Sequence, residues 1–137
     1  MKSPRFALTL HFVEDHEPHE GVSALPIVIC IRPSSRAIVS TTAHVFSLSL
    51  ERLDEPDESK DYGYAKTAWL PSENTVEVTA LKPLFLVREL MELENGRVLA
   101  TGHYALEATV VVSERVHEHF VRHELKARRE ILVAPKP

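Results

Sequence analysis

Eight of the 137 residues in this chain are histidines, and imidazole has the widest chemistry of any side chain present. Two histidines, His16 and His19, lie in an acidic stretch near the N-terminus, and His117 and His119 lie close together toward the C-terminus. Neutral imidazoles with carboxylate neighbours bind zinc, copper or nickel, and the acids can orient the rings. The spacing matches no zinc signature. A histidine-rich metal-binding domain using these four residues is therefore one alternative function.

Catalytic and cofactor motifs are absent from the sequence. It has no G-x-S-x-G element, and its four glycines form no phosphate-binding loop. The paired carboxylates of Asp54 with Glu55 and of Asp57 with Glu58 belong to a polar stretch without apolar periodicity, which predicts a solvated loop. A general acid needs a partly buried carboxyl to shift its pKa. We therefore expect no catalytic residue and no cofactor. A small enzyme or ligand-binding protein without a recognisable motif is a second alternative.

Composition narrows the class of protein. With 44% hydrophobic and 26% charged residues, the chain has the balance of a globular protein, and its length is that of a single domain spanning 1–137. The formal charge of -4 argues against a general nucleic-acid binder. No window approaches a membrane span, and the N-terminus lacks the pattern of a signal peptide. Cys30, the only cysteine, lies in an apolar run and is expected to be a buried thiol in a cytoplasmic protein.

Hydrophobic patterning predicts an all-β chain. Alternation of apolar and polar residues indicates strands over 5–13, 45–51, 75–80 and 104–112. The run 25–32 is apolar on both faces, as in a central strand. Residues 84–93 fit either a strand or a short helix, and Asn95-Gly96 after them favours the strand. A closing strand is expected over 128–134, preceded by a short helix or irregular segment within 114–127, where helix formers predominate and glycine and proline are absent.

The stretch 99–112 carries the one structural motif. Leu99, Gly102 and Tyr104 form the pattern L-x-x-G-x-Y, which resembles the tyrosine corner of immunoglobulin-like sandwiches. Gly102 is expected to adopt a positive φ where the chain enters the strand. The resemblance implies a single antiparallel immunoglobulin-like β-sandwich of about seven strands. It also implies that the tyrosine hydroxyl bonds to backbone upstream, and that the protein binds a partner and is not a catalyst.

A protein partner, which includes a second copy of this chain, is therefore the expected ligand. Acidic residues gather at 14–20 and basic residues from Arg115 onward, so the two ends could steer association. The first predicted strand lacks protecting charges or prolines and could pair with a partner, with His11 and Val13 in contact. Tyr62 and Tyr64, beside the acidic loop, are further candidate contact residues.

Overall fold

The computed structural model describes residues 5–12, 17–41, 45–54, 63–68, 74–93 and 98–135, with 45–46, 63–68 and 86–92 described through their backbone alone. This part of the chain contains nine β-strands and no helix, which confirms the all-β expectation. The strands are β1 (Phe6–Phe12), β2 (Ala24–Pro33), β3 (Ala37–Ser40), β4 (Val45–Arg52), β5 (Gly63–Ala68), β6 (Thr75–Val78), β7 (Leu84–Glu92), β8 (Gly102–Val116) and β9 (His119–Val133).

The strands form two antiparallel sheets. The smaller sheet has the order β1-β2-β7, with β2 in the centre as its apolar run predicts. The larger sheet is built around β8, which pairs with β9 along one edge and with β4 and then β3 along the other. Strands β5 and β6 add to β4 and β3 respectively. The segment 84–93 is thus a strand.

The core lies between the two sheets and follows the predicted alternation. On β8, Tyr104 and every second residue to Val112 are buried, and on β1 the buried set runs from Phe6 to Phe12 in the same way. The isoleucines of β2 lie beside the buried residues of β1 in the same sheet and have no accessible surface. Cys30 is a buried free thiol, as expected. One hydrophobic cluster therefore draws on both sheets.

Two strands were not expected from the sequence. β3 has four residues and lies between the strands predicted over 25–32 and 45–51, and β5 begins at the end of the predicted polar loop. Residues 37–39 of β3 are all apolar, so period-2 alternation does not mark this strand. The described part thus has nine strands instead of about seven.

The expected helix before the last strand is wrong. Residues 114–127 belong to a continuous β-hairpin, in which β8 and β9 stay in register from Gly102 opposite Val133 to Val116 opposite His119. Side chains of β9 alternate between half-buried positions such as Leu125 and exposed charges such as Lys126. The charged residues favour helix in isolation, but pairing along β8 and burial of the alternate side chains outweigh that propensity.

The hairpin closes through a two-residue turn, His117-Glu118, and His117 has a φ of 58°. Positive φ suits Gly or Asn at this place in a hairpin and is unfavourable for a β-branched residue. We predict that His117→Val lowers the free energy of unfolding by about 1–2 kcal/mol relative to His117→Asn, as measured by urea denaturation.

The matched control is His119→Val, two residues further on in extended backbone, where valine is a good strand residue and should cost no stability. Equal tolerance of valine at both positions would contradict the account of the turn.

Candidate functional site

The candidate metal ligands do not form one group. His19 is exposed and forms an isolated β-bridge with Ala134, just beyond the end of β9. His117 and His119 lie at the tip of the hairpin, where β9 begins. The length of β9, 15 residues, separates these positions by roughly 45 Å. His16 lies outside the described residues. Within the described ranges, no three residues of the types His, Cys, Asp or Glu are placed to hold a metal ion.

The candidate contact residues are scattered in a similar way. His11 is exposed on the outer face of β1, where its Nε2 lies 2.9 Å from the Thr9 hydroxyl. Tyr64 belongs to β5 and is paired with Ser49 of β4. Val13 and Tyr62 lie outside the described residues.

β1 is an edge strand, but β9 packs against its outer edge. Ser34 N–H donates to the carbonyl of Arg5, so the backbone N–H and C=O groups of odd-numbered residues in β1 bond to β2. The backbone groups of even-numbered residues are directed to the outer edge of the sheet. Among the outward groups, the Leu10 carbonyl accepts a hydrogen bond of 2.9 Å from Arg129 of β9. The same guanidinium lies 5.0 Å from the centre of the Phe12 ring. This edge therefore has less room for a partner strand than the sequence suggested.

The segregated charges meet within the chain at one point. Glu17, from the acidic N-terminal stretch, lies 4.0 Å from Arg129 on the basic C-terminal strand. Glu14 and Asp15 lie outside the described residues. Part of the charge asymmetry is thus used inside the molecule, in holding the segment around Glu17 near β9.

A polar cluster closes the sandwich at the hairpin end of β8. Arg5 contacts the Glu114 carboxylate at 2.6 Å, and His123 Nε2 lies 3.0 Å from the other carboxylate oxygen. Arg5 also donates to the carbonyls of Ser35 and Arg36, and the His123 ring packs edge-on against Phe6 with centroids 4.9 Å apart. The cluster therefore ties β1, β8, β9 and the turn after β2 together.

The hydrogen bonds from Arg5 lower the pKa of Glu114, although burial acts in the opposite direction and His123 adds a smaller lowering. The same carboxylate raises the pKa of Arg5. Both shifts favour the charged pair, so the two groups act as a structural ion pair at neutral pH.

Tyr104 stabilises the corner formed by residues 99–102, just before the core of β8. Its ring is fully buried, and its hydroxyl donates to the carbonyl of Ala100 over 2.9 Å. Leu99 is also buried, and it exchanges backbone hydrogen bonds with the segment before β2, donating to Val22 and accepting from Gly21. This arrangement fixes where the chain enters β8.

The expected positive φ at Gly102 is wrong, because among the described residues only Gly21 and His117 have one. A Cβ at Gly102 would lie 2.9 Å from a carboxylate oxygen of Asp54, so the glycine provides space. That carboxylate accepts hydrogen bonds from Arg52 and from His103 N–H, and the bond from Arg52 is the main cause of its lowered pKa.

The outer edge of β9, which is open in the described part of the chain, was not predicted from the sequence. The His103 carbonyl accepts from Leu53 N–H, so odd-numbered residues of β8 bond toward β4 and even-numbered ones toward β9. In the observed register, the backbone N–H and C=O groups of odd-numbered residues in β9 bond to β8. Those of the even-numbered residues, from Phe120 to Leu132, are directed to the outer edge. No strand in the described part of the chain pairs with this edge. The alternation from Val121 to Arg128 could have identified β9 as a strand, but not the openness of its edge.

Comparison with known proteins identified no relative of this chain. No family model matches it, and no curated protein or solved structure is significantly similar to it. Within the described ranges, no helix has the length and apolarity that a membrane crossing requires.

The Tyr104 hydroxyl should contribute measurably to stability. We predict that Tyr104→Phe lowers the free energy of unfolding by about 1–3 kcal/mol, because the Ala100 carbonyl loses its donor next to the core. Chemical denaturation measures the change. A variant as stable as the parent would show that the ring alone defines the corner.

Because folding lowers the pKa of Glu114, we predict that the free energy of unfolding depends on pH. A carboxyl whose pKa is lowered by folding stabilises the native state above its ordinary pKa of about 4.3, and this contribution is lost as the pH falls through the folded pKa. Glu114→Gln should therefore cost about 1–3 kcal/mol at pH 7, and the difference from the parent should shrink below about pH 4.

The exposed pair of Arg36 and Glu77, with atoms 2.8 Å apart, supplies the control. Glu77→Gln should change the free energy of unfolding by less than about 1 kcal/mol. A Glu114→Gln deficit that stays constant down to pH 3 would rule out the carboxylate as its source.

Proposed function

We propose that this chain is a non-enzymatic β-sandwich module of immunoglobulin-like type that binds a protein partner. The observation that carries the proposal is the outer edge of β9, whose even-numbered backbone groups have no strand partner in the described part of the molecule. The two antiparallel sheets and the Tyr104 hydroxyl bonded to upstream backbone support the immunoglobulin-like assignment.

An open edge offers regularly spaced donors and acceptors to an incoming extended segment. Strand addition uses the backbone for affinity and the alternating side chains for selectivity. Natural proteins usually protect such an edge with charged side chains, prolines, bulges or a covering element. β9 has no proline, and its register with β8 continues without a bulge over all 15 residues.

The side chains along this edge also suit a protein partner. The exposed residues include charges of both signs between Arg122 and Glu130, and a large apolar side chain flanks them at each end. Phe120 is 49% exposed and Leu132 is 67% exposed. An extended segment of alternating charge with apolar ends would complement this row.

A peptide-binding experiment tests the proposal. Extended peptides selected on the protein from a random display library are titrated against Glu124→Pro and Glu124→Ala. Residue 124 directs its N–H outward, so proline removes a donor that β8 does not use, whereas alanine keeps that donor. We expect the alanine variant to retain binding and the proline variant to weaken it by about tenfold or more.

Hydrogen exchange gives a second readout. The amides of Glu124, Lys126 and Arg128 should exchange quickly in the dilute, monomeric protein without peptide and slowly with peptide bound. Circular dichroism establishes that both variants are folded. Equal peptide affinity of the two variants, or peptide protection confined to another edge, would overturn the proposal.

A further inference from the structure

We infer that the partner of the β9 edge is a second copy of this chain, paired antiparallel through β9 about a twofold axis at Lys126. The inference rests on the proposed interaction function and names its partner. It would join the larger sheets of two protomers into one continuous sheet.

Backbone geometry restricts how two β9 strands can pair. The outward N–H and C=O groups belong to even-numbered residues, so an antiparallel ladder must place even-numbered residues of one protomer opposite even-numbered residues of the other. A twofold dimer uses the same surface on both subunits, and the register is defined by the residue at the axis. Only the position of that axis remains to be chosen.

Side-chain chemistry favours the axis at Lys126. That register places Arg122 opposite Glu130, Glu124 opposite Arg128, and Phe120 opposite Leu132, and the twofold axis repeats each pair. Opposite charges and apolar side chains facing each other across strands both stabilise a sheet. Lys126 opposite its own copy is the single unfavourable contact in the exposed row.

The same register matches the inward-facing side chains. It places Val121 opposite Ile131 and Leu125 opposite Ala127, so that apolar groups continue the core side of the sheet across the axis. Val121 is exposed in the isolated chain, whereas Leu125 and Ala127 already pack against the core. The one polar pair on this side is His123 with Arg129.

Neighbouring registers lose this complementarity. An axis at Leu125 places Arg122 opposite Arg128 and Phe120 opposite Glu130. An axis at Ala127 places Glu124 opposite Glu130 and Lys126 opposite Arg128. Like charges directly opposite each other destabilise a strand pair, so both shifts are unfavourable.

His19 forms an isolated parallel β-bridge with Ala134 on this same edge, so the ladder can run only from 120 to 132. Its end falls just before Ala134, whose carbonyl already accepts a hydrogen bond from Glu20 N–H. The charged side chains form exposed ion pairs within the protomer, such as Lys126 with Glu124 at 3.5 Å and Arg128 with Glu130 at 3.7 Å. Exposed pairs of this kind contribute little, so they can exchange partners at low cost.

A charge-swap experiment tests the pairing. One variant carries Arg122→Glu and Arg128→Glu, and the other carries Glu124→Lys and Glu130→Lys, so in each variant the four charged positions that flank Lys126 have one sign. We expect the parent chain to dimerise in sedimentation equilibrium and each variant alone to dimerise about a hundredfold more weakly. An equimolar mixture should recover a dimer, because the four charged pairs that flank the axis are again complementary, and only the Lys126 pair remains repulsive, as in the parent.

A single substitution tests the register. Lys126→Gln removes the repulsion at the axis and should tighten the dimer about two- to fivefold, whereas with the axis at Leu125 it would remove an attraction to Glu124 and weaken the dimer. Lys82→Gln, which makes the same change at an exposed loop position, should leave dimerisation unaltered.

The outcomes separate this inference from the proposed function. A parent chain that stays monomeric at high concentration, or a dimer that is insensitive to the charge swaps, overturns the β9 self-pairing. If selected peptides still depend on the N–H of residue 124, the interaction function stands with a different partner. If they do not, both proposals fail.

Discussion

β8 must satisfy its backbone hydrogen bonds along both edges, and the rest of the described structure depends on how it does so. The backbone groups of its even-numbered residues bond to β9, and those of its odd-numbered residues bond toward β4. The side chains of Tyr104 and of every second residue after it, to Val112, fill the core. An unpaired buried backbone group is costly, so a strand of 15 residues in this position requires long neighbours. β9 is the neighbour that matches its full length.

The long hairpin also determines how the two sheets meet. At its tip end, Glu114 is held by Arg5 and His123, and further along β9 the Arg129 guanidinium bonds to the Leu10 carbonyl. Polar side chains thus attach the edge of the smaller sheet to the inner side of β9. Because hydrogen bonds satisfy these charges, they can lie beside the core without the penalty of an unpaired buried ion.

β9 pairs with β8 on one side, and no strand in the described part of the chain pairs with its other side. A strand at the end of a sheet is either protected from association or used for it. The exposed charges of β9 are opposite in sign at positions equally distant from Lys126, and Phe120 and Leu132 lie at the ends of the row. A row of one sign would repel a second copy, whereas this row is complementary to its own reversed sequence.

Sequence alone determined the features that depend on local alternation and composition. The strands around Phe6 and Tyr104, their buried faces and the buried Cys30 follow from apolar periodicity, because one face of each strand must leave water. Tertiary structure decided whatever depends on a distant partner. The helix formers of 114–127 became strand because β8 offers them a complete ladder, and Gly102 is needed for the approach of Asp54, not for a positive φ. Which edge stays open was likewise decided by the assembled sheets, since strand order is a property of long-range pairing that no local pattern contains.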